Sequence, residues 1–196
     1  MPDKEMAIDH YLFDLINQQW ANPVLDAILP VYRDKLTWIP LYIAVLYLIW
    51  RRFGTRRAVY LLLCIGTVIA VADQLAATVI KPWVGRLRPC ATPALADRVR
   101  ELVNCGGALS FPSNHATNHF AVATVMSLTW VRRRGWKFAW FLWAFTISLA
   151  QVYVGKHYPG DILAGAALGA AVGWIGVVAY RRLAKEAAIR GITPDD

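Results

Sequence analysis

Three short stretches of this chain gather residue types that handle phosphate. "KPWVGRLRP" (81–89) carries Lys81, Arg86 and Arg88. "FPSNHATNH" (111–119) carries Ser113, Asn114, His115 and His119. "QVYVGKHYPGD" (151–161) carries Gln151, Lys156, His157 and Asp161. Cations and N–H groups neutralise the oxygens of a phosphoryl group during transfer. One histidine can attack phosphorus while another protonates the leaving oxygen. Asp161 lies four residues after His157. A carboxylate bonded to one ring nitrogen fixes the tautomer and makes the other nitrogen more nucleophilic.

Each stretch also has a plainer explanation. Lys and Arg at helix ends often reach for headgroups. Pro112, Ser113 and Asn114 suit a helix start, whose unpaired N–H groups and positive dipole end also suit an anion. Asp161 alone suits a helix cap. His115 and His119 have the spacing of a metal pair, but a metal site needs a third ligand. The plain explanations leave one thing unexplained: the topology below brings all three stretches to one membrane face.

That topology comes from composition and pattern. Hydrophobic residues make up 57% of the 196 and charged residues 17%, against about 25% charged in ordinary soluble domains. Five apolar runs stand out: Leu36–Phe53, Ala58–Ile80, Ala116–Val131, Phe138–Val154 and Ile162–Tyr180. Each lies near the ~20 residues that cross a bilayer. Nine Trp and eight Tyr suit the membrane interface. The expected fold is an all-α, polytopic transmembrane helix bundle with about five crossings.

A net charge of +8 raises nucleic acid as a partner, but the cations sit in short loops. "RRFGTRR" (51–57), "RRRGWK" (132–137) and "RRLAKEAAIR" (181–190) fall on one side of five crossings. Short Lys/Arg-rich loops mark the cytoplasmic side. Residues 1–35, 81–115 and 155–161 then face outward. The first of these is acidic, and residues 8–29 read as an amphipathic helix in the outer interface, with Ile8, Tyr11, Leu12, Leu15 and Ile16 at helical spacing. The start lacks a basic region followed by an apolar stretch, so no cleavable signal peptide is expected. The organisation read from this is an interfacial segment 1–35, a membrane domain 36–182 with its site loop at 81–115, and a cytoplasmic tail 183–196 ending in a disordered "GITPDD".

Asp73 is the one carboxylate within the five runs. An intramembrane carboxylate is a functional candidate, although a hydrogen bond to a neighbouring helix explains it equally simply. Cys64 lies within a run. Cys90 and Cys105 share the outer loop, where an oxidising compartment permits either a disulfide or two thiols.

These residues resemble the type 2 phosphatidic acid phosphatase superfamily of membrane lipid phosphatases. Its pattern is Lys, six residues, Arg-Pro; Pro-Ser-Gly-His; and Ser-Arg, five residues, His, three residues, Asp. Here Lys81 is followed by six residues and Arg88-Pro89, "PSNH" stands at 112–115, and His157 and Asp161 are in register. The resemblance implies that Lys81, Arg88, Ser113 and the Asn114 backbone bind phosphate, and that His115 is the general acid. It implies a phosphohistidine at His157 and an orienting role for Asp161. It also implies a lipid phosphate substrate in a bacterial inner membrane, no metal or cofactor, and no obligatory protein partner. Undecaprenyl diphosphate is the first-choice substrate; phosphatidylglycerophosphate, phosphatidic acid and lipid A are alternatives, as is transfer to a second lipid.

Two departures stand out. Asn114 replaces glycine, a residue whose place Asn fills by tolerating unusual backbone angles. Ala150-Gln151 replaces Ser-Arg, so the arginine's bidentate phosphate contact is lost. Lys156 or Arg86 is expected to compensate. A non-catalytic lipid carrier or channel subunit would account for the crossings, but not for His115, His157 and Asp161 sharing a face.

Overall fold

The computed structural model describes residues 2–95 and 97–189, with side chains described over 7–95 and 97–185. Seven α-helices make up the described fold: α1 (Pro2–Asp14), α2 (Pro23–Tyr32), α3 (Ile39–Gln74), α4 (Lys81–Val84), α5 (Asn114–Thr129), α6 (Arg134–Tyr153) and α7 (Pro159–Ile189). A π-helical stretch, Leu75–Ile80, joins α3 to α4 without a break in direction. The only β pairing among the described residues is an isolated bridge between Leu87 and Leu109.

Lys35–Val84 and Pro159–Lys185 are long and apolar enough to cross a bilayer. The first is a hairpin. Gly54 takes φ 72°, ψ 170° inside α3, a left-handed φ that glycine tolerates and L side chains resist. Ile43, Leu46, Tyr47 and Trp50 line one groove with Thr55, Ala58, Val59 and Leu62. In a straight helix Ile43 and Leu62 would lie roughly 28 Å apart, so the arms fold back side by side.

The bundle has two chemically different ends. Arg57, Leu128, Thr129, Tyr180 and Arg181 surround one pocket, and Arg181 Nη2 donates to the Leu128 carbonyl at 2.7 Å. Arg57, Arg181 and the end of α5 that leads into the basic segment 132–137 therefore meet at one end. The starts of α4, α5 and α7 lie at the other. Between the ends, large apolar side chains such as Leu46, Leu142, Phe145, Leu163 and Trp174 point outward, exposed in the isolated chain.

What fixes α5 against α7 is a stripe of small residues. A Cβ on Gly165 would stand 2.6 Å from the Ser113 carbonyl oxygen, and one on Gly173 would stand 2.8 Å from that of Ala121. One on Gly169 would overlap the Thr117 carbonyl still more closely. Both helices thus offer a small residue every four positions, and their backbones touch. Lipid tails are as apolar as leucine, so close packing of this kind holds membrane helices together where hydrophobic burial cannot.

The N-terminal segment differs from the single interfacial helix expected over 8–29. It forms two helices. Asn22 breaks them: its side chain caps α2 by accepting from the N–H groups of Val24 and Leu25 at 3.1 and 3.0 Å, and Pro23 starts the helix. Phe13, Ile16 and Asn17 are buried, in contact with Tyr153 and Tyr158. Fully burying a residue the size of Phe13 is worth about 1.5–3 kcal/mol, so this segment is part of the core. At the other terminus α7 continues through Ile189, so residues 183–189 are helical. The expected disorder of "GITPDD" concerns residues outside those described.

Candidate active site

The site forms where α5 and α7 begin and α6 ends. The turn out of α6 is set by Gly155, at φ 85°, where an added Cβ would stand 2.7 Å from the Arg100 carbonyl oxygen. His157 follows, almost wholly buried. Its Nδ1 faces Asp161 Oδ2 at 3.4 Å, which leaves Nε2 as the nitrogen free for chemistry. Burial pushes the His157 imidazole down to about 4, against the pull of Asp161 and helped by Arg88 and Lys81. At neutral pH the ring is therefore unprotonated, the form a nucleophile needs.

Asp161 is wholly buried and held on every side. Oδ2 also accepts from the Tyr158 N–H at 2.9 Å, and Oδ1 accepts from Arg86 Nη1 at 3.0 Å. Its backbone carbonyl accepts from the Ser113 N–H at 3.0 Å. That last bond ties the start of α5 to the start of α7. Ser113 caps α5, its Oγ accepting from the Ala116 N–H at 3.5 Å.

Lys81 and Arg88 converge on the same end through the loop before α5. Lys81 Nζ donates to the Ser110 and Pro112 carbonyls at 2.9 and 2.6 Å. Arg88 donates from Nε to the Leu109 carbonyl at 3.1 Å and from Nη1 to that of Cys105 at 3.0 Å. Cys90 and Cys105 are joined as a disulfide, with their Cα atoms 5.9 Å apart. The loop that follows Arg88 is thus closed covalently. Burial lowers the Arg88 guanidinium, Asp161 opposes this, and Arg33 adds to it.

His115 begins α5 with its ring stacked on that of His119, centroids 6.2 Å apart. Burial first, then Arg33, His119, His157 and Lys156, push the His115 imidazole down to about 3, so it holds a proton only against the negative charge of a bound phosphoryl group. His119 Nδ1 is occupied by the His115 carbonyl oxygen at 2.7 Å. That leaves His119 oriented by its own helix rather than turned toward a ligand shared with His115.

Other expectations are changed by the geometry. Arg86, a candidate phosphate ligand, is taken up by Asp161 and by a close ion pair with Asp9, and its Cζ lies 4.0 Å from the Tyr158 ring centre. It is a structural tie to α1. Asn114 has no need of unusual backbone angles, since every positive φ among the described residues belongs to glycine. Its Nδ2 donates to Asp73 Oδ1 at 2.8 Å, as does that of Asn118. Asp73 is thereby accounted for as a hydrogen-bonded carboxylate between helices. Lys156 sits beside Gly106, where an added Cβ would stand 3.7 Å from Nζ. Burial first, then Arg33 and Arg88, lower it to about 8.

Sequence reading missed the contribution of residues 1–35. Asp9 accepts from the Gly160 N–H at 2.7 Å, within the HYPGD corner. Asp26 accepts from Arg100 and from the Tyr153 hydroxyl, each at 2.6 Å. Arg33 Nε donates to Gln151 Oε1 at 3.0 Å. The visible signal was a run of acids, which gave no pairing.

Two histidines, the cations Lys81, Arg88 and Lys156, and a helix start thus share one end of the bundle. Residues 57–185 match the family model described as the PAP2 superfamily. The chain belongs to the PAP2 superfamily. It is similar to the lipid A 4'-phosphatase of Bacteroides thetaiotaomicron, 37% identical over 158 residues, covering 79% of this chain and 69% of that one. The crystal structure of Aquifex aeolicus LpxE superposes with a TM-score of 0.62 at 27% identity, over 85% of this chain and 93% of that one. A transmembrane PAP2 type phosphatidylglycerolphosphate phosphatase from Bacillus subtilis has the same fold, at a TM-score of 0.67 and 19% identity over 91% and 87% of the two chains. As a PAP2 member this chain is a membrane lipid phosphatase, a hydrolase.

Proposed function

We propose that the protein removes a phosphate monoester from a lipid A-type glycolipid at the extracytoplasmic face of a bacterial inner membrane. The substrate class is supported by the 37% identity to a lipid A 4'-phosphatase over 79% of this chain. The chemistry is supported by one relationship above all: His157 Nδ1 against Asp161, with Nε2 left free.

In this reading Nε2 of neutral His157 attacks phosphorus. The bond to the lipid oxygen breaks, and His115, protonated once the phosphate charge is bound beside it, gives that oxygen its proton. Lys81, Arg88 and the α5 N-terminus offset the charge on the phosphoryl oxygens. Water then attacks the phosphohistidine, His115 takes its proton, and phosphate leaves with His157 restored. In the same reading the two arms of α3, then α5, α6 and α7, cross the membrane. The shared basic end of the bundle faces the cytoplasm.

The test is a panel on purified protein: lipid A, undecaprenyl diphosphate and phosphatidylglycerophosphate, with released phosphate and a labelled acceptor lipid followed separately. Lipid A should lead by about tenfold or more in kcat/KM. A comparable lead for undecaprenyl diphosphate, or label passing to the acceptor in place of free phosphate, would overturn the substrate or the reaction assigned.

A further inference from the structure

Gln151 stands where the family pattern places an arginine, and the structure brings another arginine to it. Arg33 ends α2, and its Nε donates to Gln151 Oε1 at 3.0 Å. Gln151 is wholly buried in the last turn of α6. Its backbone carbonyl accepts from the N–H groups of Lys156 and His157 at 3.0 and 3.3 Å. The amide that holds Arg33 is therefore built into the turn that carries the nucleophile.

Donors are left over at this spot. Gln151 Nε2 is buried and meets no acceptor among the described residues. Arg33 has no carboxylate partner among the described residues, whereas Arg86, Arg98 and Arg100 are paired with Asp9 and Asp161, Asp14, and Asp26. The exposed Asp34 carboxylate acts on Arg33 electrostatically without forming an ion pair, and a half-buried guanidinium left unpaired beside a buried amide N–H without an acceptor is costly unless a ligand supplies both. A phosphate oxyanion does so. Lys156 and Arg88 both lie within electrostatic reach of Arg33.

We propose that Arg33 is the phosphate-binding arginine of this site, delivered by the N-terminal segment and aimed by Gln151, whose Nε2 donates to the same phosphoryl group. The cation that the family pattern keeps on the helix of the nucleophile has moved to α2, and Gln151 has become its holder. This rests on the phosphatase reading above.

The experiment compares Arg33→Ala, Arg33→Lys and Arg33→Ala/Gln151→Arg with the native chain, reading kcat/KM and inhibition by inorganic phosphate. Arg33→Ala should lose about 100-fold or more in kcat/KM, with phosphate inhibition weakened in parallel. Arg33→Lys, which keeps the charge without the fork, should fall between. The double variant restores the family arrangement and should recover most of the loss. If the native chain is active while Arg33→Ala stays within about threefold of it, the assignment of Arg33 fails and the phosphatase reading stands. A loss that Gln151→Arg does not restore, with phosphate inhibition unchanged, makes Arg33 a structural tie and also overturns it. A native chain inactive on every lipid would end both readings.

Discussion

Arg86 Nη1 donates to Asp161 Oδ1 at 3.0 Å, on the carboxylate oxygen that does not face His157. Asp161 is wholly buried, so it needs this partner. Removing one member of a buried pair leaves an uncompensated charge, at a cost of about 3–5 kcal/mol. Arg86→Ala should therefore lower the unfolding temperature in detergent markedly, and it also cuts the tie to Asp9. An unchanged melting curve would show that Asp161 is stabilised by its N–H donors alone.

The His157 ring should titrate far below an ordinary histidine. Burial lowers its value from 6.5 to about 4. A folded value depressed below the unfolded one means that the unfolded chain takes up the proton first as pH falls. The stability from neutral His157 is complete above pH 6.5 and is lost as pH drops toward about 4. Nitrogen NMR of labelled histidine, with His157→Gln for assignment, would give the midpoint. A midpoint at or above 6.5 would contradict the burial argument.

The α5–α7 contact predicts a large effect from a small substitution. A Cβ at Gly169 would drive into the Thr117 carbonyl. Overpacking typically costs about 1–3 kcal/mol. It would also move His115 relative to His157, and a shift of about 1 Å can cost about 100-fold in rate. Gly66→Ala, with nothing within 4 Å of the added carbon, is the control. Equal activity in the two variants would show that this stripe does not set the site.

Cys90 and Cys105 are 15 apart in sequence, and closing such a loop stabilises by about 3 kcal/mol in the chain-entropy picture. Arg88 donates to the Cys105 carbonyl, so the bridge also positions a residue proposed to bind phosphate. Treatment with dithiothreitol should lower the melting temperature and raise KM more than it lowers kcat. A melting temperature that ignores the reductant would show that the loop is held without the bridge.

The helices and the motif positions were legible because both are local. Apolar runs mark the spans, and Pro112, Ser113 and Asn114 mark the start of α5. The close approach of α5 to α7 at Gly165, Gly169 and Gly173 was not read from the sequence, because small residues four apart say only that some helix comes close. The role of residues 1–35 was not legible. Asp9 meets Gly160 across 151 positions and Arg33 meets Gln151 across 118, and no local pattern encodes such a pairing. The substitution at Gln151 was visible as a missing charge. Its replacement was visible only once the chain was folded.

The central claim is that His157 carries the phosphoryl group. Rapid quenching of the enzyme with a substrate labelled at its phosphate, followed by peptide mapping, tests it most directly. Acid-labile, base-stable label on the peptide containing His157, absent in His157→Ala, is the predicted result. Full turnover with no labelled peptide, or label carried at His115 or on a carboxylate, would contradict it.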